Sequence, residues 1–122
     1  MNCLIVDDEE LAHTVIEDYI SRIPFLKLKK NCYHAFEAME ELQKSKIDII
    51  FLDINLPEIS GIDFIKELRK SDKKMPVILL SAFTDTKYLL EATKLKLVDY
   101  ITKPVDFKTL YASLNTCVEE IL

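Results

Sequence analysis

The stretch "IIFLDINLP", residues 49–57, runs four large apolar residues into one carboxylate, Asp53, and stops at Pro57. A short apolar run of this length, rich in β-branched and aromatic residues, reads as a strand buried on both faces. The proline belongs after it, because proline cannot donate to a sheet ladder. An acid at the end of such a strand is costly to bury unpaired, so its presence asks for a chemical reason.

Four similar runs flank this one: "CLIV" (3–6), "LKLKKNC" (26–32), "PVILLS" (76–81) and "VDYIT" (98–102), with the opening strand itself read as 48–53. Alternating lysines make 26–32 an edge strand. Between the runs, apolar residues recur every three to four positions: Leu11, Val15, Tyr19 and Ile23; Phe36, Met39 and Leu42; Ile62, Ile65 and Leu68; Phe107, Leu110, Leu114, Cys117 and Ile121. That spacing predicts helices with one apolar face, and 85–95 is a less regular helix. Five strands alternating with five helices predict an α/β fold, because parallel neighbours need a crossover and the helix supplies it. With a single glycine, Gly61, and no Ser/Pro-rich tract, no linker interrupts the chain, and residues 1–122 read as one domain.

Composition narrows the function. The chain has 122 residues, 49% of them hydrophobic, and a formal net charge of -5. Scattered lysines on an acidic chain argue against nucleic-acid or anionic-membrane contact through this domain. Cys3, Cys32 and Cys117 are odd in number and far apart, so reduced buried thiols are expected rather than a disulfide framework or zinc site. No apolar run has the roughly 20 residues of a membrane span, and "MNCLIVDDEE" has no basic n-region. A cytoplasmic protein is the expectation.

In open α/β sheets, ligands sit outside the carboxyl ends of the strands. There the first strand leads into "DDEE" (7–10), the third ends in Asp53, the fourth in Ser81 and the fifth in "TKP" (102–104). If the strand order is 2-1-3-4-5, Asp7, Asp8 and Asp53 converge, with Ser81 and Lys103 on the far side of Asp53. Two carboxylates about 4 Å apart repel by roughly 4 kcal/mol at an effective dielectric of about 20, so the cluster calls for a cation. Oxygen donors of this kind suit Mg²⁺, leaving Ser81 and Lys103 for the oxygens of a phosphoryl group. Each residue also has a plainer reading. Asp8 fits a helix N-cap, Glu9 and Glu10 first-turn acids, Asp53 a turn cap, Ser81 a strand-end turn residue and Lys103 a solvated lysine. Four strands delivering polar groups of matched sign to one edge favour a site.

These residues resemble the receiver domain of bacterial two-component response regulators, over essentially the whole chain. "LIVDDEE" is similar to the acidic pair of that family, "FLDINLPEISG" to its phospho-acceptor segment, "VILLSA" to its hydroxyl position and "DYITKP" to its switch aromatic, lysine and proline. The resemblance implies a single doubly wound (βα)5 domain of flavodoxin-like topology, order 2-1-3-4-5. It implies that Asp53 accepts a phosphoryl group from a sensor histidine kinase, and that Asp8, Asp53 and the Asn55 carbonyl hold Mg²⁺, with Asp7 acting through water. It further implies that Ser81 and Lys103 bind phosphoryl oxygens, that Tyr100 turns inward on phosphorylation, that Lys103–Pro104 is cis, and that the face of the fourth helix, fifth strand and fifth helix controls homodimerisation. The wording of "LDINLPEISGIDF" is most similar to regulators carrying a LytTR-type DNA-binding domain.

Two departures stand out. Lys96 and Leu97 occupy the place where the family has Gly-Ala, so the fourth helix is expected to end without the left-handed cap a glycine provides. Phe83 is expected to screen the acyl phosphate from water and slow its loss. His13 and His34 read as surface or satisfied packing residues. Three rivals remain. A pseudo-receiver acting as a binding module would not need the full set of groups present. A haloacid-dehalogenase-type enzyme would want an acid at position 55, which is Asn. A flavin or nucleotide binder would want a glycine-rich loop.

Overall fold

The computed structural model describes residues 1–72, 74–82 and 86–121. Strands β1 (Asn2–Val6), β2 (Lys27–Cys32), β3 (Ile49–Asp53), β4 (Val77–Ser81) and β5 (Asp99–Thr102) alternate with helices α1 (Glu10–Ser21), α2 (Ala35–Lys44), α3 (Gly61–Ser71), α4 (Thr86–Thr93) and α5 (Phe107–Ile121). All strand pairs are parallel and the order is β2-β1-β3-β4-β5, as the family resemblance implied.

The period of two along a strand sorts the core into two layers. Leu4, Val6, Ile50 and Leu52 pack on one face with Ala38 of α2, Phe64, Ile65 and Leu68 of α3 and Ala92 of α4. Cys3, Ile5, Ile49 and Phe51 pack on the other with Ile16 and Ile20 of α1 and Leu110, Leu114 and Cys117 of α5. β3, at the centre, is buried at all five positions, whereas β2 exposes Lys27 and Lys29 as an edge strand should. The β1–β2 register also slips between Cys3 and Leu4, an irregularity of the kind that blunts an edge against further pairing. The cysteines are buried and outside any disulfide, and burial pushes the thiols of Cys3 and Cys32 up to about 12, well away from reactive thiolate.

Three expectations need correction. Leu11 and Phe36, placed on apolar helix stripes, are 71% and 64% exposed; the buried residues of α1 are instead His13, Ile16 and Ile20, and those of α2 are Ala35 and Ala38. The α1 stripe is thus rotated onto His13, Ile16 and Ile20, and the α2 stripe is made of alanines, which a search for large apolar side chains misses. The N-cap of α1 is Glu9, not Asp8, and it makes no side-chain capping bond. Finally, the α4 end does contain a left-handed residue: Lys96 itself has φ 57°. A non-glycine residue there costs roughly 1–2 kcal/mol. Arg69 supports the turn, giving hydrogen bonds from Nε to the Leu95 carbonyl (3.0 Å) and from Nη2 to the Lys96 carbonyl (3.2 Å).

Candidate functional site

The stretch that carries Asp53 is presented by a close backbone crossing. After β3 the chain turns through 54–60 and starts α3 at Gly61, whose amide donates to the Ile54 carbonyl at 2.7 Å. A Cβ at Gly61 would sit 2.5 Å from the Asp53 carbonyl oxygen and 2.8 Å from the Ile54 Cα. Only glycine lets the helix start this near Asp53. Ser60 caps the helix, its hydroxyl accepting from the Asp63 amide at 3.1 Å, so the turn is held at both ends.

Asp7, Asp8 and Asp53 each offer a carboxylate oxygen within 4.8 Å of the others. Asp7 is fully buried, Asp53 is 3% exposed and Asp8 is exposed. Asp7 is tied on every side. Its amide donates to the Cys32 carbonyl at 3.0 Å, its Oδ1 accepts from the Glu9 amide at 2.9 Å, its Oδ2 accepts from Lys103 Nζ at 2.8 Å, and its carbonyl lies 2.8 Å from His13 Nε2. Asp53 Oδ1 accepts from the Asn55 amide at 3.2 Å and lies 3.5 Å from Lys103 Nζ. The lysine therefore does more than stand beyond Asp53: it reaches past it to Asp7, because a buried carboxylate needs an ionic partner. The peptide bond after Lys103 is cis, and the Lys103 amide donates to the Ser81 carbonyl at 2.7 Å, joining the ends of β4 and β5.

The charges respond as expected. Burial, then the Asp7 charge, pushes the Asp53 carboxyl up to about 6, against the pull of Lys103 and the Asn55 amide. Burial lowers Lys103, but its bond to Asp7 and the charges of Asp53, Asp7 and Glu9 outweigh that and hold the ammonium above its ordinary value. Two acids sharing one ammonium leave negative charge over, and a compact set of hard oxygen donors fits a small divalent cation such as Mg²⁺.

A cavity of about 200 Å³ opens beside the acids, lined by Asp8, Glu9, Asp53, Asn55, Ala82 and Lys103, room for a phosphoryl-sized group. Of the residues picked from sequence, Asp7, Asp8, Asp53, Asn55 and Lys103 come together here. Ser81 lies buried at the end of β4, and its neighbour Ala82 lines the cavity in its place. Tyr100 is 45% exposed, on the outward side of β5. Phe83 lies outside the described residues. His34 caps α2, accepting from the Glu37 amide, and His13 is a buried, fully partnered residue. Glu9 and His13 were not picked as site neighbours: Glu9 adjoins the acid pair in the "DDEE" run and was read only as a first-turn acid, whereas His13 comes back to the Asp7 carbonyl through the first turns of α1.

The sequence profile described as Response regulator receiver domain matches residues 3–115. The chain is 33% identical over 112 residues to chemotaxis protein CheY of Thermotoga maritima, covering 92% of each chain. It is 37% identical over 121 residues to sensory transduction protein LytT of Enterococcus faecalis, covering 99% of this chain and 49% of that protein. It is 33% identical to a protein-glutamate methylesterase/protein-glutamine glutaminase of Treponema denticola, covering 97% of this chain and 32% of that protein, so it spans a third to a half of these two longer relatives. The REC domain of AraT, a response regulator from Geobacillus stearothermophilus, superposes with a TM-score of 0.90 at 25% identity, covering 98% of this chain and 94% of that one. Among the described residues no helix is long and apolar enough to cross a membrane. A profile match over nearly the whole chain, a fold shared with solved receiver domains and an acid cluster at the matching sheet edge lead to one conclusion: the chain belongs to the response regulator receiver domain family, the phosphorylation-dependent signalling unit of two-component systems.

Proposed function

We propose that Asp53 is the phospho-acceptor of this receiver domain, taking a phosphoryl group from a sensor histidine kinase. The observation that carries the reading is the meeting of three carboxylates within 4.8 Å of one another with one ammonium, 2.8 Å from Asp7 and 3.5 Å from Asp53. With its pKa raised to about 6, Asp53 is ionised at neutral pH yet more basic than an ordinary aspartate, which suits a nucleophile. One carboxylate oxygen forms the O–P bond as the N–P bond of the kinase phosphohistidine breaks, and the electron pair returns to the imidazole. The rigid, fully buried β3 aims the oxygen, and positioning with charge stabilisation is most of what phosphoryl transfer requires.

Asp8, Asp53 and the Asn55 carbonyl would hold Mg²⁺, with Asp7 acting through water. Bound there, the ion neutralises the acid cluster and the developing charge on the phosphoryl oxygens. Lys103 pairs with one of those oxygens, giving up part of its hold on Asp53, and Ser81 donates to another. Phosphorylation adds about one and a half to two negative charges at the sheet edge, and the demand on Ser81 and Lys103 is passed to α4, β5 and α5. Leu90, Tyr100 and Tyr111 are 78%, 45% and 37% exposed on those elements, which supports that face as the one that pairs two phosphorylated copies. The domain then acts as a switch rather than an enzyme with external turnover.

The test is incubation with a small phosphodonor and Mg²⁺, read by intact mass. Wild type gains one phosphoryl group and Asp53→Asn gains none. No gain on wild type overturns the reading and leaves the pseudo-receiver alternative; equal gain on both overturns it by placing the acceptor elsewhere.

A further inference from the structure

His13 is fully buried and takes no part in the chemistry above. It lies on α1, and its Nε2 is 2.8 Å from the Asp7 carbonyl oxygen; a carbonyl has no proton to give, so the ring donates. On the ring's other edge Nδ1 abuts the side-chain amide of Asn31 on β2, whose far end meets Glu17, one turn further along α1. Tyr33 lies against the ring, centroids 4.2 Å apart at 36°, and its hydroxyl donates to Glu10 at 2.8 Å. Both edges of the imidazole and one side are therefore held.

What this ring holds is a peptide plane. The Asp7 carbonyl and the Asp8 amide belong to one rigid unit, so fixing the direction of the carbonyl restricts rotation on both sides of it and sets where the Asp8 Cα–Cβ bond points. The entry to α1 has no side-chain capping bond from Glu9, so the ordinary device for steadying this turn is missing. We propose that His13 is a positioning residue for the acid pair, its hydrogen bond to the Asp7 carbonyl fixing the β1–α1 turn and with it the directions of the Asp7 and Asp8 carboxylates toward Asp53. The inference deepens the proposed function and rests on it for what the acids bind; how the turn is held stands independently.

Groups that orient metal ligands without touching the metal typically matter about 10- to 100-fold in affinity. The experiment compares wild type, His13→Phe, His13→Gln and Asn31→Ala by two readouts: the Mg²⁺ dissociation constant from an NMR titration, and hydrogen exchange of the Glu9 amide in metal-free protein. His13→Phe keeps a ring against Tyr33 but loses both polar edges. It is expected to weaken Mg²⁺ roughly tenfold and to speed Glu9 exchange by a similar factor, while β3 amides stay at wild-type rates. His13→Gln, which can still donate, recovers part of both, and Asn31→Ala, which leaves the bond to Asp7 in place, falls between. If His13→Phe does not fold, Asn31→Ala decides. Values within about twofold of wild type on both readouts, in whichever variant folds, overturn the proposal. A uniform acceleration that includes β3, without recovery by Gln, also overturns it, as ordinary core damage. A wild type that takes up no phosphoryl group while His13→Phe still loosens Glu9 removes the phospho-acceptor reading and leaves the positioning role.

Discussion

The β1–α1 corner and the end of α4 lie on different parts of the same sheet and are built in opposite ways. At the corner, Asp7 is buried and bonded through its amide, its carbonyl and both carboxylate oxygens. At the end of α4 the chain passes through a left-handed lysine, held by Arg69, and the Lys66–Glu91 bridge between α3 and α4 is nearly half exposed on each side. An exposed pair of this kind stabilises by about 0–1 kcal/mol. The lesson is a division of labour. The proposed phosphoryl transfer needs carboxylates held to within fractions of an ångström, whereas the proposed switching face needs alternatives that differ by only a few kcal/mol.

Four measurements break or sharpen this contrast. The largest effect is expected at Gly61→Ala. The new Cβ meets backbone atoms of Asp53 and Ile54, which cannot rotate away, and overpacking of this kind costs about 3 kcal/mol. Urea unfolding checks it, and phosphorylation should slow as well, since the clash falls on the carbonyl of the proposed acceptor.

Next is Asp53→Asn in the presence of a chelator. The folded protein raises the Asp53 carboxyl from 3.8 to about 6, so it binds that proton more tightly than the unfolded chain does. The stabilisation linked to this proton is fully present below about pH 4 and is lost as pH rises through about 6. Asp53→Asn should therefore be more stable than wild type by about 3 kcal/mol at pH 7, with the difference shrinking toward zero near pH 4. Added Mg²⁺ should narrow the gap at neutral pH by stabilising wild type; at ten times its dissociation constant, ligand binding contributes about 1.4 kcal/mol and so offsets roughly half of it. A pH-independent difference would count against a charged, crowded Asp53.

Lys96→Gly is expected to gain about 1 kcal/mol, because glycine adopts positive φ without the side-chain clash. Thermal melts read this, and a loss of stability would mean that the Lys96 side chain compensates the strain. Smallest is Lys66→Ala, expected to change stability by less than about 0.5 kcal/mol. A cost above 1 kcal/mol would show α4 to be held as firmly as the acid corner, and would erase the contrast.

Much of this is legible in the sequence. β3 and β4 are legible because strands covered on both faces are apolar at nearly every position, and Asp53, Ser81 and Lys103 are legible because each stands just past such a run. The lysine-alternating edge strand is legible for the converse reason. The buried stripes of α1 and α2 were not: Ala35, Ala38 and His13 are small or polar, while the larger Leu11 and Phe36 face outward. A left-handed Lys96 was not foreseen either, since the residue gives no local cue and the conformation is held by Arg69 from another helix.

The order of residues along the chain determined the fold class and the chemical inventory of the site, because both follow from local periodicity and from which side chains end each strand. Tertiary structure alone decided how that inventory is wired. That Lys103 reaches Asp7, that a glycine must admit α3 beside Asp53, and that His13 meets the Asp7 carbonyl while Asn31 braces its other edge all depend on which elements lie side by side. Hydrogen bonds and ion pairs act over a few ångströms, and residues separated by up to 96 positions in sequence come that close only after the sheet has formed.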